Sequence, residues 1–482
     1  MKYQWIILLS ILSVGYLGSN NILMWNQYLG NPGRTAYVEC DGPDSPEILW
    51  EVTLKGQIQN PYVYNDQIVV LTTESPSSGM NSENKNEDNV IIIDLLTGNL
   101  LAKIMPKEGL KSVYPMGDKT VLGATLGKLW EIDISTEEVT FISKIPTKTS
   151  CIFDSSPIIL PNSIIFPFIP VTSISKQDYS IQWDLLSSLE SDFPEGGEVR
   201  TIAATFDKVF LLIQEETNMK VWAVDSSNGR FIWKSHDIPL CNQLAGNDSF
   251  VIAGGNELIG LDTETGEILW TLKEKVLSNI VITDNEAYFT DNKYLYAIDI
   301  LSGEQKWKSP WDGLSFWITY VLGTSNTIIC SDVRNLTCFS RENGNQLWNM
   351  HFQDFVDGTI RKSCPAIAKG IIITTGKISN NRLLAITSDP HLFAQQGDAF
   401  LSQKLPDKAV ESFRKASELY ERSGNQEKAQ EMHEKITQLE LSSESIVPSK
   451  TQSLIFPISC ILGIVIVSTF LYVFVIQKRS KN

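Results

Sequence analysis

Short segments in which apolar and polar residues alternate fill the middle of the chain and recur at a regular interval. The clearest copy runs from Leu258 to Asp262, turns at Gly266 and resumes toward Trp270. Alternation predicts a strand, an Asp at its end can bind the turn backbone, and glycine accepts positive φ. The same spacing recurs at turn glycines separated by 37, 37 and 41 residues, namely Gly229, Gly266, Gly303 and Gly344. A period near 40 predicts four-stranded propeller blades rather than helical repeats.

Weaker copies extend this repeat toward both ends of the chain. Upstream, the spacing is kept after Asp94 and Asp133, and a degenerate copy fits between Tyr179 and Val199, with its turn near residue 185. An eighth copy begins at Arg382 but lacks its closing Trp strand, and a matching strand occurs at residues 46–51. We therefore predict a mainly β fold, an eight-bladed β-propeller over residues 20–389. The N-terminal strand would complete the last blade and close the ring.

The repeated aromatic, acidic and glycine positions are interpreted as structural. Docking one blade on the next needs a large apolar side chain at one register in each copy, whereas one ligand needs a single aromatic platform. These repeat positions are Trp50, Asp94, Gly98, Asp133, Asp225, Gly229, Trp233, Asp262, Gly266, Trp270, Asp299, Gly303, Trp307, Gly344 and Trp348. We expect them to pack and to shape turns.

After Asp389 the apolar period changes from 2 to 3.6, which predicts helices over residues 390–441. The spacing of Gly397, Phe400, Ala409, Phe413 and Ala416 resembles that of a tetratricopeptide repeat, in which these positions pack one helix on the next. A plain helical spacer is the alternative, because one such repeat is below the number usually needed for a binding groove. The Ser-rich residues 442–452 are predicted to be a linker.

The two ends of the chain predict its topology. An apolar run of 13 residues, Trp5–Leu17, suits the core of a signal peptide over residues 1–19, with an uncleaved signal anchor as the alternative. Residues 453–476 carry no charge and are long enough for a transmembrane helix. Lys478, Arg479 and Lys481 follow in the tail 477–482, so the positive-inside bias puts the tail in the cytoplasm. We predict a single-pass cell-membrane protein whose bulk is extracytoplasmic.

Charge and cysteine usage narrow the candidate chemistry. The formal net charge of −16 repels nucleic-acid phosphates, so we predict no nucleic-acid partner. The seven cysteines form no CxxC pair, which predicts no metal site. Cys330 and Cys338 could pair across a turn, but strand alternation puts them on opposite faces, which favours free thiols. The sequence shows no catalytic motif, and we assign no catalytic residue.

The string Ala-Ile-Asp-x-x-x-Gly-x-x-x-Trp, as at residues 297–307, resembles the repeat of the pyrroloquinoline-quinone (PQQ) dehydrogenase propellers. The opening segment Trp25–Thr35 is also similar to the lead-in of many proteins in this superfamily, the WD40/YVTN-like group. It includes quinoprotein dehydrogenases and non-enzymatic relatives, such as the propeller lipoprotein of the outer-membrane β-barrel assembly machinery. The dehydrogenases usually carry two adjacent cysteines and calcium ligands in long loops. Here no cysteines are adjacent, and the only sizeable insert is the polar stretch Thr73–Asn89.

These features together favour a membrane-tethered scaffold that binds other envelope or secreted proteins, with no cofactor and no PQQ-binding residue assigned. The alternatives are a PQQ- and calcium-dependent dehydrogenase and a binder of a small molecule or glycan in the propeller funnel. Clustered acidic side chains and an aromatic platform at the propeller mouth would favour the dehydrogenase.

Overall fold

The computed structural model describes residues 25–444, apart from 74–88, 107–108, 118, 126, 146–155, 168–169, 186, 188–196, 216–217, 292, 314–318, 333, 353–362 and 377–380. The chain divides after Asp389 into two compact units, one of strands and one of helices. No helix among these residues is both long and apolar enough to cross a membrane. The predicted leader 1–19, the predicted span 453–476 and most of the insert 73–89 lie outside the described residues.

Eight antiparallel sheets form the first unit, and the prediction of eight blades is confirmed. The strands of blades 1 to 4 are, for blade 1, β2 (Gln57–Ile58), β3 (Tyr62–Tyr64), β4 (Gln67–Thr73), β5 (Asn89–Asp94) and β6 (Leu100–Ile104); for blade 2, β7 (Ser112–Pro115), β8 (Thr120–Thr125), β9 (Lys128–Asp133) and β10 (Val139–Lys144); for blade 3, β11 (Ile158–Ile159), β12 (Ser163–Phe166), β13 (Thr172–Ser175) and β14 (Ile181–Asp184); and for blade 4, β15 (Glu198–Ala204), β16 (Lys208–Glu215), β17 (Asn218–Asp225) and β18 (Phe231–Lys234).

Blades 5 to 8 continue in chain order, and the last one draws a strand from the start of the chain. Their strands are, for blade 5, β19 (Cys241–Gly246), β20 (Phe250–Gly255), β21 (Leu258–Asp262) and β22 (Ile268–Leu272); for blade 6, β23 (Val281–Ile282), β24 (Glu286–Thr290), β25 (Tyr294–Asp299) and β26 (Gln305–Pro310); for blade 7, β27 (Tyr320–Gly323), β28 (Thr327–Ser331), β29 (Asn335–Ser340) and β30 (Gln346–His351); and for blade 8, β31 (Ala366–Ala368), β32 (Ile371–Gly376), β33 (Arg382–Thr387) and β1 (Glu47–Thr53). Strand β1 pairs with β33 from Glu47 opposite Thr387 to Thr53 opposite Arg382, so it is the outermost strand of blade 8.

In blades 1, 4, 5 and 6 the Asp and Gly of the repeat shape the turn before the outermost strand. Asp262 Oδ1 accepts hydrogen bonds from the backbone N–H groups of Glu264 (2.9 Å) and Thr265 (2.8 Å). Four residues after the Asp, the turn needs positive φ, and Gly266 adopts +72° there. The repeat therefore specifies a local turn that any one blade can form without its neighbours.

The repeat Trp residues lie between blades. In six junctions the indole N–H donates to a carbonyl in the next blade or, for Trp348, in the segment that leads into blade 8: Trp50 to Leu95, Trp183 to Ser226, Trp233 to Thr263, Trp270 to Ile300, Trp307 to Arg341 and Trp348 to Pro43. The ring also packs on the next turn glycine, since a Cβ on Gly303 would be 2.6 Å from Trp270 Cδ2. In five of these junctions the indole thus joins a buried apolar surface to one satisfied buried carbonyl, and the bond from Trp307 is part-buried.

The turn expected near residue 185 is wrong. The turn of blade 3 lies between β13 and β14, with Ser175 at the Asp position, Tyr179 (φ +57°) at the Gly position and Trp183 at the Trp position. The spacing of four and four is intact, but both turn residues are replaced, so a search for Asp and Gly misses the copy. Interblade packing pins this turn and balances the cost of positive φ in a non-glycine residue.

The second unit contains α1 (Pro390–Ser402), α2 (Pro406–Arg422) and α3 (Gln426–Glu444). Gly397 lets α2 approach α1, because a Cβ there would be 2.5 Å from Phe413 Cε1. Phe400, Ala409, Phe413 and Ala416 are buried in the same unit. Helix α3 continues to Glu444, so the predicted start of the linker at residue 442 is wrong; the Ser442 hydroxyl donates to the Leu439 carbonyl (2.7 Å) and stays compatible with the helix. The tetratricopeptide assignment stays a prediction.

Candidate functional site

The segment 25–42, which precedes the first strand, lies across one end of the propeller ring. It reaches the carboxyl-terminal ends of the innermost strands one after another. Its carbonyls accept from inner-strand N–H groups of four successive blades: Pro32 from Ala204, Gly33 from Gly246, Thr35 from Ile282 and Ala36 from Gly323. Trp25 exchanges two backbone hydrogen bonds with Val63, and the Gln27 side chain exchanges two with Ile159. This plug segment therefore ties six blades together and covers the channel at that end.

Polar and aromatic side chains of the plug segment contact the inner strands. Arg34 is 4% exposed and donates to Thr201 Oγ1 (3.0 Å) and to the Ser156 carbonyl (2.8 Å). Its guanidinium lies 5.4 Å from the ring centre of Tyr28, which meets Tyr320 edge to face. From the sequence alone, these residues have no predicted role beyond the resemblance of the lead-in segment. Their signal is weak, because each contacts residues more than 100 positions away.

Two further tyrosines belong to this region. Tyr62 and Tyr114 are both buried, with ring centres 5.4 Å apart. Burial raises the pKa of Tyr62 well above its ordinary value, so its phenol stays neutral at physiological pH. A buried neutral phenol can donate or accept a hydrogen bond but supplies no charge.

The outermost strands have a different surface. In seven blades the pairing of this strand contains a β-bulge directly before the Trp register, for example between Ile268 and Trp270. In blade 2 the bulge follows Phe141 instead. A bulge bends an edge strand and interrupts its row of free backbone groups, which opposes the addition of another strand. These edges are therefore built for contacts through side chains.

The side chains at and before the bulge are largely apolar and exposed. We call this set the outer-strand surface: Ile48, Leu100, Leu101, Phe141, Ile181, Phe231, Ile232, Ile268, Leu269 and Leu347, each 39–58% exposed. Blade 6 differs, since Gln305 and Lys306 take these places. Single exposed apolar residues are ordinary on protein surfaces, but in six blades they recur at one or both of the two positions before the Trp register, whereas Phe141 of blade 2 occupies that register itself.

Comparisons with known proteins agree with this architecture. Residues 217–316 match the sequence model of a family described as "Outer membrane protein assembly factor BamB", within a group of PQQ-like repeats. The resemblance to PQQ-like propeller repeats is confirmed. No curated protein sequence matches the chain.

Solved structures with PQQ-like propellers are also similar in fold. The quinohemoprotein alcohol dehydrogenase of Comamonas testosteroni has 11% identity and a TM-score of 0.55, over 76% of this chain and 80% of that one. The quinohemoprotein alcohol dehydrogenase ADHIIG of Pseudomonas putida HK5 has 11% identity and a TM-score of 0.53, over the same shares. BamB of Moraxella catarrhalis has 12% identity and a TM-score of 0.48, over 71% of this chain and 100% of that one. At these identities, the two dehydrogenase structures with TM-scores above 0.5 indicate a common fold only.

The described residues do not fit PQQ with calcium. Calcium prefers several carboxylate and carbonyl oxygens, but no group of three His, Cys, Asp or Glu side chains within the described ranges could hold a metal ion. The plug segment offers a guanidinium, Arg34, which repels a cation. Cys40, Cys241, Cys330, Cys338 and Cys364 are free thiols, and Cys330 and Cys338 face opposite Thr337 and Ile329 rather than each other. We therefore derive no reaction step through this cofactor.

Proposed function

We propose that the chain is a membrane-tethered, extracytoplasmic scaffold whose propeller binds other envelope or secreted proteins through the outer-strand surface. The observation that carries the proposal is the recurrence of exposed apolar side chains at the two positions before the Trp register in six of the outermost strands. Fully burying a Leu or Ile side chain stabilises by about 1.5–3 kcal/mol, so about 1 kcal/mol is available from each half-exposed one. A partner that covers four or five of them gains enough to offset part of the association cost.

The bulges favour this mode of contact over strand addition. A partner strand would need a continuous row of free N–H and C=O groups, which the bulge interrupts next to the apolar side chains. Side-chain docking needs no such row. The description of the matching family as an assembly factor supports a partner among envelope proteins.

The proposed tether is the uncharged run 453–476 followed by basic residues. A helix of this run would hold the propeller beside the membrane, where envelope and secreted proteins pass. For this topology we expect protease added outside intact cells to digest the propeller and to leave a C-terminal tag intact. Protection of the propeller would contradict it.

The binding proposal is tested with lysines at the bulge position of two adjacent blades, as in the double variant Ile232→Lys/Leu269→Lys. Lysine is tolerated there, because blade 6 carries Lys306 at the equivalent place. The full chain is expressed in its native membranes, and crosslinked partners are quantified by mass spectrometry. We expect the partners of the wild type to fall at least tenfold in the variant, while its melting temperature stays within about 1 °C, as for surface changes.

The matched control is Thr271→Lys/Gln305→Lys, which adds the same charge at exposed polar positions of the outermost strands. Partner recovery should be unchanged in this control. Equal recovery by the wild type and the Ile232→Lys/Leu269→Lys variant would refute the proposal that this surface binds proteins.

A further inference from the structure

A cleft of about 290 Å³ opens at the junction of blades 6 and 7. It is lined by Trp311 and Asp312, which follow β26, and by Arg334, which precedes β29. Polar side chains of β29 and β30, among them Thr337 and Asn349, complete the lining. Pairing of Thr337 with Asn349 and of Asn335 with His351 puts these four side chains on one face of blade 7. Trp348, at the alternate position, instead donates to Pro43 on the far side of the blade.

The cleft exists because blade 7 has a small residue where most blades have a large one. Three residues before the turn Asp or its equivalent, six blades carry Ile91, Trp130, Trp222, Ile259, Tyr296 and Leu384. In blade 4, Trp222 is 1% exposed and packs against residues of blade 3 such as Trp183. In blade 7 the same position is Thr337, which leaves unfilled the volume that an indole or phenol occupies elsewhere.

The neighbouring outer strand changes together with Thr337. Where the ring is present, the facing residue is often a lysine that covers it: Lys234 Nζ lies 5.4 Å from the Trp222 ring centre, and Lys308 Nζ lies 5.6 Å from that of Tyr296. In blade 7 the facing residue is Asn349. The packed ring and its cation are thus both replaced by hydrogen-bonding groups.

The hydroxyl of Thr337 has no hydrogen-bond partner in the part of the chain that the structure describes, although the residue is only 3% exposed. Blade 3 also has threonine at this position, but the Thr172 hydroxyl donates to the Pro170 carbonyl (2.9 Å). Because this hydroxyl lines the cleft, water or a bound molecule can reach it and supply the missing hydrogen-bond partner. Thr337 is therefore placed to bind a ligand group.

The charges of the lining select the class of ligand. Asp312 and Arg334 carry opposite charges, and the remaining polar groups are amides, a hydroxyl and the His351 imidazole, whose Nδ1 lies 2.8 Å from Asn335 Oδ1. A balanced lining gives no preference for an anion or a cation. Many neutral donors and acceptors around a small cavity suit a molecule that carries several hydroxyl groups.

We propose that this cleft is a saccharide-binding site that accepts one uncharged sugar ring. Its volume lies at the lower end of the range for ligand pockets, which fits a single ring rather than a large cofactor. The site goes beyond the proposed scaffold function, because its described lining residues are not part of the outer-strand surface. It is also separate from the funnel in which the sequence suggested a ligand.

The proposal is tested by saturation-transfer NMR and calorimetry on the full-length chain. The probes are the methyl glycosides of glucose, mannose, galactose and N-acetylglucosamine, together with oligomers of any ring that binds. The host must lack N-glycosylation, because Asn335-Leu336-Thr337 is an acceptor sequon. We expect saturation transfer to at least one glycoside with a dissociation constant on the order of millimolar.

Three variants locate the binding. Thr337→Trp places in the cleft the side chain that blades 2 and 4 carry at this position, and should abolish binding. Thr337→Val keeps the volume, removes the hydroxyl and should weaken binding about three- to tenfold. Ser340→Asp restores the usual turn residue on the same strand, does not line the cleft and should bind as the wild type does.

Transfer to none of the glycosides, or unchanged binding by both Thr337 variants, would overturn the proposal. If Thr337→Trp does not fold, Thr337→Val and Asn349→Ala decide by their dissociation constants. Tighter binding of oligomers than of single rings indicates a glycan chain as the source, and equal binding indicates a free sugar or a chain end. The partner-recovery assay for Ile232→Lys/Leu269→Lys does not depend on sugar binding. The scaffold proposal and the saccharide-site proposal can therefore be refuted independently.

Discussion

Replacing Trp270 by phenylalanine tests whether the interblade indole bonds hold the ring together. The Trp270 N–H donates to the carbonyl of Ile300 in the next blade at 2.8 Å, and Ile300 is fully buried. Phenylalanine keeps most of the apolar contact but leaves that carbonyl without a donor, which costs about 1–3 kcal/mol. The smaller ring adds about 1 kcal/mol for lost packing. We expect Trp270→Phe to reduce the free energy of unfolding by about 2–4 kcal/mol.

Trp307 provides the matched control at the same register. It is only partly buried, and its N–H lies 3.3 Å from the Arg341 carbonyl, the longest of the six interblade indole bonds in the described chain. Water can replace a long, partly exposed bond, so Trp307→Phe should cost about 1 kcal/mol or less. The two junctions differ in burial and in the length of the indole bond, while both residues occupy the position four after a turn glycine.

The assay is thermal unfolding of the full chain followed by far-ultraviolet circular dichroism, at one scan rate for all proteins. At about 2 °C per kcal/mol for a domain of this size, Trp270→Phe should lower the melting temperature by about 4–8 °C and Trp307→Phe by about 2 °C or less. Native-state hydrogen exchange should show the extra opening of Trp270→Phe in blades 5 and 6. Equal losses in the two variants would show that the indole bond is not the stabilising element.

Two further predictions concern the turns and the helices. Backbone and side-chain hydrogen bonds from Ser302 lower the pKa of Asp299 in the folded protein. Ionised Asp299 therefore stabilises the fold above the pKa of an unfolded Asp, and this stabilisation is lost as pH falls through the lower folded pKa. Asp299→Asn should therefore melt below the wild type at pH 7 and match it in strong acid, and a gap that widens in acid would contradict this. In the helical unit, Gly397→Ala places a Cβ 2.5 Å from Phe413 Cε1, so we expect faster proteolysis of residues 390–444. The control Ser402→Ala, at an exposed position, should not change the rate of proteolysis. Equal proteolysis of Gly397→Ala and the wild type would refute the close packing of α1 on α2.

The closure of the ring shows what the sequence repeat can predict about the fold. The missing Trp strand of the eighth copy and the surplus strand near residue 50 predict that β1 completes blade 8, and β1 does pair with β33. This works because a blade is a local unit with its own turn residues. Where those residues are replaced, as at Ser175 and Tyr179, the same reasoning misplaces the turn.

The sequence by itself determined the elements whose causes are local. Alternation, the Asp–Gly turn and the regular Trp produce four-stranded blades, since each depends on residues within about 40 positions. The change of period after Asp389 likewise predicts the helices.

Only the tertiary structure decided the plug segment, the exposed register of the outermost strands and the cleft at Thr337. Arg34 meets Thr201 and Ser156 across more than 120 residues, and no local pattern encodes that distance. Thr337 is an ordinary strand residue until blade 6 is packed against it and the absence of a larger side chain becomes a cavity. Such features depend on which surfaces meet, and this is fixed by the closure of the ring rather than by any one segment.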